Sequence, residues 1–213
     1  MINNIDSYLK LNYKAVSAIT ENKVQVKNLN LTITDFVANG SFKSLKNNTE
    51  ILNKPDYAFF IRNTDLKARN FLKYVSKDTY TFLKKSSLKG GEIIISNVGS
   101  VGSVYLCPVL SKPMTLGNNM ILISNINREE NFYLYYFFKS IEGQHLISSI
   151  TGGSAQPKFN KTDFKKLVIP FPAKDKITKF NKIAFSLSQL LNGYENENRK
   201  LLLIKNQLLE KYF

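Results

Sequence analysis

The chain has little cysteine, histidine or uninterrupted apolar sequence. Cys107 is its only cysteine and His145 its only histidine among 213 residues. One chain therefore cannot build a disulfide framework or a Cys/His zinc site, and a reducing, cytoplasmic location is expected. The N-terminus has no cationic lead into an apolar run, and no run reaches the roughly eighteen apolar residues that a membrane-spanning helix needs. Neither secretion nor membrane insertion is predicted.

Acidic residues are also scarce, with 16 Asp and Glu against 30 Lys and Arg, for a net charge of +14. Residues 1–172 hold +10 of that excess and residues 173–213 hold +4. The segment 35–89 has eleven Lys or Arg against five Asp or Glu, interspersed with aromatic residues. Cations mixed with flat rings suit a polyanion, so nucleic acid is the first partner to consider. The alternative is a merely soluble basic protein whose Lys and Asn reflect an AT-rich genome.

Motifs for cofactor chemistry are missing. No Gly-rich phosphate loop ends in Lys-Ser/Thr, and GSVGSV at 99–104 lacks the third glycine and the strand-to-helix context of a dinucleotide site. The Gly-rich turn and the Asn/Asp-Pro-Pro-aromatic motif of a DNA methyltransferase are absent as well. No cofactor and no metal site is predicted.

One set of residues imitates a metal-dependent nuclease. Asp56, Asp65 and Lys67 have the residue types of two metal-binding carboxylates and a lysine that steadies the attacking water. That core needs the second carboxylate and the lysine on an adjacent strand. Here the single predicted strand lies between Asp56 and Asp65, which places Asp65 and Lys67 in the turn after it. The sequence therefore does not predict catalysis by this set.

The first 172 residues have the pattern of an α+β domain. Helical periodicity covers 77–85 and 131–150, and glycines at 90–91, 99, 102, 117 and 152–153 mark turns. Short β-branched or aromatic runs predict strands in a curved, mostly antiparallel sheet with short helices around it. These runs are Val24–Val26, Leu31–Ile33, Tyr57–Arg62, Glu92–Ser96, Gly102–Cys107 and Asn119–Ser124.

After Pro170 and Pro172 the pattern changes to one long helix, so residues 173–213 are predicted to form a separate coiled-coil element. The helix itself is predicted over 176–213, and its 38 residues would be about 57 Å long, which exceeds what a globule of this size can cover. Part of its apolar seam should therefore face a partner. Gly193 lies within this helix and weakens it by about 1 kcal/mol. The predicted seam consists of Phe180, Ile183, Leu187, Leu190, Tyr194, Leu201, Ile204 and Leu208.

Five segments resemble, in order and spacing, a target-recognition domain of the specificity subunit of type I restriction-modification systems. They are DFVANGSFKSLKNN (35–48), DYAFFIRNTDL (56–66), YVSKDTYTFLKKSSLKGGEIIISNVGSVGSV (74–104), PMTLGNNMILI (113–123) and TGGSAQPKFNKTDFKKLVIPFP (151–172). The helix that follows is similar to the spacer helix of that family. Its entry departs from the family pattern, because Pro172 is followed by Ala-Lys-Asp-Lys instead of Pro-x-x-Glu-Gln.

The resemblance implies a non-catalytic protein that binds double-stranded DNA. Such a protein reads one half of a bipartite target and positions methyltransferase subunits, and through them a restriction subunit. A full-length specificity subunit has two recognition domains joined by two helices, whereas this chain carries one of each. Two copies related by a twofold axis would rebuild the full arrangement as a homodimer, with a palindromic target around a fixed gap.

Loop residues are the expected DNA contacts, because phosphate binding needs cations and free amides, whereas base recognition needs planar or forked donors. We expect them in four groups, in the GSFKSLK turn, after the aromatic strand, in the NVGSVGS turn and after Gly153. Arg62 or Arg69 is the expected base-contacting arginine. The groups are Ser41, Lys43, Ser44 and Lys46; Arg62, Asn63, Thr64, Lys67, Arg69 and Asn70; Asn97, Ser100 and Ser103; and Ser154, Gln156 and Lys158.

Two other functions stay open from the sequence. A general nucleic-acid-binding protein would use its aromatics as stacking platforms, although the alternation of Tyr57, Phe59 and Ile61 is typical of a half-buried strand. A truncated subunit could instead occupy the methyltransferase as a decoy without directing it to DNA.

Overall fold

The β-structure of the chain is divided among three sheets in the part that the structure describes. This computed structural model describes residues 2–18, 22–125 and 131–212. One four-stranded sheet has the order β2-β9-β6-β7, another has the order β4-β3-β8-β5, and β1 pairs with β10. The strands are β1 (Lys23–Gln25), β2 (Thr32–Asp35), β3 (Ala58–Ile61), β4 (Tyr74–Val75), β5 (Ser87–Leu88), β6 (Ile93–Ser96), β7 (Val104–Leu106), β8 (Met114–Leu116), β9 (Met120–Ser124) and β10 (Val168–Pro170).

Helices surround the sheets on several sides. They are α1 (Ile2–Ser17), α2 (Phe42–Asn48), α3 (Asn63–Ala68), α4 (Lys77–Phe82), α5 (Asn131–Lys139), α6 (Ile141–Ser149), α7 (Lys161–Lys166) and α8 (Lys174–Tyr212). The prediction of an α+β fold with mostly antiparallel pairing is confirmed, since β3 and β8 are the one parallel pair among the strands described. The prediction of a single sheet is wrong, because β3 and β8 build a second sheet that the sequence pattern did not separate from the first.

The first sheet is covered on both faces, which explains why its central strands, β6 and β9, are apolar at every position except their last. Ile93 and Ile95 of β6 pack into a core with α5 and α8, whereas Ile94 between them packs toward the second sheet. In β9, Ile121 and Ile123 face the first core, and Leu122 faces the second. Side chains alternate across a strand, so a sheet buried on both faces needs apolar residues throughout.

The predicted helix 131–150 is two helices, α5 and α6, and that prediction is corrected. Ser140 separates them, because its Oγ accepts a hydrogen bond from the Gly143 amide at 3.2 Å and caps α6. The same hydroxyl donates to the carbonyl of Phe137 at 2.7 Å. Gly143 then passes so close to that carbonyl that an added Cβ would collide with it. A serine cap and a close backbone approach therefore bend the chain where apolar periodicity alone predicts continuity.

Helix α8 begins inside the core of the domain, so the role predicted for Phe180 is wrong. Ile177, Phe180 and Ala184 are at most 2% exposed. The Phe180 ring lies 5.9 Å from the ring of Tyr136 and 6.4 Å from that of Tyr13, both in the same chain. Helix α1, which was not predicted, supplies Tyr13 to this contact. Phe180 is therefore unavailable to a second helix.

The later part of α8 leaves the domain with apolar side chains uncovered. Leu187 still packs against the core, and Tyr194 is half-buried. The other predicted seam residues are between 41% and 62% exposed, namely Ile183, Leu190, Leu201, Ile204 and Leu208. With 39 residues, α8 is about 58 Å long at about 1.5 Å per residue.

Candidate nucleic-acid interface

Strand directions bring several loops to one edge of the two large sheets. Because β3 and β8 are parallel, both end at the same edge, and the Gly117 amide donates to the carbonyl of Ile61 at 2.8 Å. In the other sheet, β6 ends where β9 begins, with Ser96 opposite Met120. The turn 117–119 connects the two sheets here, and its Asn119 carbonyl accepts from the Asn97 amide at 3.1 Å.

The segment 151–158 joins the same edge although it is distant in sequence. The Gly99 amide donates to the Pro157 carbonyl at 3.1 Å, and Val98 and Lys158 form an isolated β-bridge. The Asn97 side chain donates to the Phe159 carbonyl at 3.1 Å. We call residues 62–70, 97–103, 117–119 and 151–158 together the loop edge. Three of the four predicted groups of DNA contacts thus lie at one place.

Side chains at the loop edge differ in what they can still offer to a ligand. Asn97 is occupied in holding the segment 151–158, and Asn63 and Ser103 are half-buried. The remaining predicted residues, apart from Arg62, are exposed. They are Thr64, Lys67, Arg69, Asn70, Ser100, Ser154, Gln156 and Lys158.

The fourth predicted group forms a helix, α2, rather than the turn that was predicted. Ser41 caps it, with its Oγ accepting from the Ser44 amide at 3.2 Å. Leu45 packs into a small core that includes Phe60 of β3. At the far end, the Thr79 hydroxyl donates to the Asn48 carbonyl at 3.2 Å, which holds α2 beside α4. Lys43 and Lys46 are exposed on its outer side.

Phe42 is an exposed residue of α2 that the predicted set of DNA contacts did not include. Its side chain is 85% exposed at the first position of α2, directly beside exposed Ser41 and Lys43. A phenylalanine normally buries most of its surface, so its exposure makes Phe42 a further candidate contact residue. Its position between Ser41 and Lys43 gave no periodic signal that separates it from the core aromatics nearby.

Arg62 and Asp65 form a two-point ion pair at the start of α3. Arg62 Nε lies 2.9 Å from Asp65 Oδ2, and Nη2 lies 2.6 Å from Oδ1. This hydrogen bonding to Asp65 raises the pKa of the Arg62 guanidinium above its ordinary value. Asp65 and Lys67 lie in helix α3, which corrects their prediction as turn residues, and Arg69 ends the helix with φ of 52°.

The nuclease-like set is not assembled. Asp56 precedes β3 and Asp65 follows it, so the four residues of the strand separate them by about 13 Å. Asp65 is 3% exposed and bound to Arg62, which turns its carboxylate away from solvent. Within the described residues, no three Asp, Glu, His or Cys side chains lie close enough together to hold a metal ion.

Several exposed lysines lie at this side of the domain. The carboxylate of Asp35, at the end of β2, is by contrast only 8% exposed and is bound by Lys161 at 2.8 Å. Because β5 runs antiparallel to β8, exposed Lys84 and Lys85 precede β5 at the same edge where β8 ends. Both lysines were missed as site candidates, as were exposed Asn118 and Asn119 of the connecting turn. Only strand pairing reveals their position.

Comparison with protein families gives one match across most of the chain. Residues 26–206 match the family model described as "Type I restriction modification DNA specificity domain". The chain belongs to this family. The resemblance deduced from the five segments is thereby confirmed, and the specificity subunits of this family are not themselves catalytic. A search of curated proteins gave no significant match.

Solved specificity subunits share the fold of this family member. The S subunit of the type I restriction-modification system from M. genitalium is 19% identical with a TM-score of 0.51, over 84% of this chain and 43% of that one. The HsdS subunit from Thermoanaerobacter tengcongensis is 13% identical with a TM-score of 0.51, and the match covers 98% of this chain and 50% of that one. A chain from a study of type I R-M complex assembly and conformational transition is 13% identical with a TM-score of 0.54. The match covers 99% of this chain and 52% of that one. The specificity-domain chain spans about half the length of these proteins.

The described part of this specificity-domain chain contains no membrane-spanning candidate. Among its helices, none combines the length and the apolar character that crossing a bilayer requires.

Proposed function

We propose that this chain binds double-stranded DNA through the loop edge and α2 and reads one half of a bipartite target. The observation that carries the proposal is the convergence of the loops. Segments up to about ninety residues apart in sequence, 62–70 and 151–158, meet the turns 97–103 and 117–119 at one edge that is rich in exposed cations and amides. Specificity for DNA is the property of the family to which the chain belongs.

The mixture of side chains suits a duplex. Lys67, Lys158 and the lysines of α2 supply charge for phosphates, which positions a protein without reading sequence. Asn70 and Gln156 supply paired donors and acceptors that fit the edge of adenine in the major groove. If about six phosphates are contacted, at about 0.9 counterion each, binding weakens steeply as salt rises.

The second half of α8 is the proposed assembly element. Its exposed apolar residues Leu201, Ile204 and Leu208 repeat at the spacing of a coiled-coil seam. A second copy of the chain would cover them and place two loop edges at a fixed separation, with methyltransferase subunits, and through them a restriction subunit, docked on the assembly. The target would then be palindromic with a fixed internal gap.

A selection experiment tests the DNA-binding part of the proposal. Duplexes bound by the purified chain are recovered from a random pool at moderate salt, sequenced and compared with the unbound pool. We expect an enriched sequence motif and weaker binding of single strands of the same sequence. Equal binding of all duplexes, or a preference for single strands, would instead support a general nucleic-acid-binding protein.

A further inference from the structure

The guanidinium of Arg62 is held along one of its two donor edges. Asp65 takes the side-on edge, which consists of Nε and one hydrogen of Nη2, at 2.9 and 2.6 Å. The end-on edge, formed by Nη1 and the second hydrogen of Nη2, donates no hydrogen bond to a side chain or carbonyl among the described residues. The Arg62 side chain keeps 37% of its surface in solvent at the loop edge.

The carboxylate that holds Arg62 is itself fixed by the fold. Asp65 is 3% exposed, and its Oδ2 also accepts from the backbone amide of Arg62 at 3.0 Å. The Asp65 amide donates to the carbonyl of Arg62 at 3.1 Å, which closes the first turn of α3. Four hydrogen bonds join the same two residues, and the two that the guanidinium donates leave it little freedom to rotate. Its direction is therefore set before any ligand arrives.

The free edge has the geometry of a specific base contact. Two parallel N–H groups of a guanidinium match the O6 and N7 acceptors of guanine in the major groove, and no other base presents that pair. A lysine carries the same charge but lacks the planar fork, so it suits a phosphate better than a base edge. Arg62 follows β3 directly, next to the turn 117–119 where the two sheets meet.

We infer that Arg62 reads a guanine of the target and that Asp65 is its positioning residue. This inference rests on the proposed function, since it names one base within the half-site that the loop edge would contact. The ion pair with Asp65 thus fixes the direction of the arginine side chain.

The test compares the DNA motifs selected by variants of the full chain. Arg62→Ala and Arg62→Lys are each expected to lose the preference for one guanine, by roughly tenfold or more, while the other positions of the motif stay. Asp65→Asn is expected to weaken the same preference only in part, because the fork remains but is no longer held. Lys67→Ala, on the same helix, is the matched control and should lower affinity evenly over all sequences with the motif unchanged.

Distinct results separate the failure of this inference from failure of the proposed function. Thermal unfolding of Arg62→Lys confirms that the variant is folded before its motif is compared. If folded Arg62→Lys selects the wild-type motif with evenly reduced affinity, Arg62 contacts phosphate and the inference is overturned. A wild-type motif without any guanine overturns it as well. If the wild-type chain selects no motif at all, the proposed function itself fails.

Discussion

At the scale of single residues, the side chains of the proposed interface divide into those that build its loops and those that face outward. Asn97 donates from its side-chain NH2 group to the Phe159 carbonyl, and the Ser41 hydroxyl accepts from the Ser44 amide. The side chains of Lys67, Lys158 and Gln156 are exposed to solvent on the domain surface. Substitution of the first kind should therefore damage the fold of a loop, whereas substitution of the second kind should change DNA binding alone.

Phe42 offers a direct test of an outward-facing residue. Phe42→Ala should leave the free energy of unfolding within about 0.5 kcal/mol of the wild type, because the ring is 85% exposed. It should weaken binding to the selected duplex by about 1 kcal/mol, roughly fivefold, because the ring would lose an apolar contact with a thymine methyl group in the major groove. Fluorescence anisotropy and thermal unfolding measure the two effects. Leu11→Ala, a 65% exposed position on α1, is the control that should change neither.

Gly102 tests a loop-building position. Its φ of +83° disfavours any side chain, and an added Cβ would meet Gln144 Oε1 at 2.7 Å. Gly99 has a φ of +76° with open space around it, so it isolates the backbone strain. We expect Gly99→Ala to cost about 1 kcal/mol in urea unfolding and Gly102→Ala clearly more, because the clash adds to the strain. Equal losses would show that Gln144 moves aside freely.

At the scale of secondary structure, the sequence predicted the long strands and the last helix but not how they assemble. Six apolar runs each contain or overlap a strand, because β6 and β9 are buried on both faces and their patterns are strong. Strands β4 and β5 have two residues each, too few for any alternation to be visible. Convergence of the loops depends on the parallel pairing of β3 with β8, a non-local contact that no local pattern encodes.

The break between α5 and α6 leads to a prediction about glycines in helices. Gly143→Ala should lower the thermal midpoint strongly, because the added Cβ would collide with the Phe137 carbonyl. Gly193→Ala in α8 is the matched change, with no atom within 4 Å of the added Cβ. It should stabilise the helix by about 1 kcal/mol. Circular dichroism on heating compares the two, and a tolerated Gly143→Ala would mean that α5 and α6 can separate at low cost.

At the scale of the whole molecule, the two parts of α8 have different surroundings. Its first part completes the core of the domain through Ile177, Phe180 and Ala184, and its second part exposes the seam residues. Removing the last 38 residues would therefore unfold the domain as well as remove the seam. The structure thus requires point substitutions in the second part for any test of assembly.

The assembly prediction uses such substitutions. Leu201→Glu combined with Ile204→Glu should convert a dimer into a monomer, because each carboxylate would be buried without a partner in the seam. Lys200→Glu combined with Lys205→Glu, at exposed polar positions, adds the same number of acids as a control and should leave the dimer intact. Light scattering gives the mass in solution. If the wild-type chain has the mass of one copy in solution, the predicted twofold arrangement is wrong.

We propose that one copy of the chain reads one half-site, that a second copy reads the other, and that together they direct a methyltransferase. The decisive measurement is to sequence the sites methylated on a random DNA library when type I methyltransferase subunits are supplied. We predict methylation confined to a palindromic bipartite motif with one fixed gap. If methylation is absent, or is independent of the sequence on either side of the modified base, this proposal is wrong.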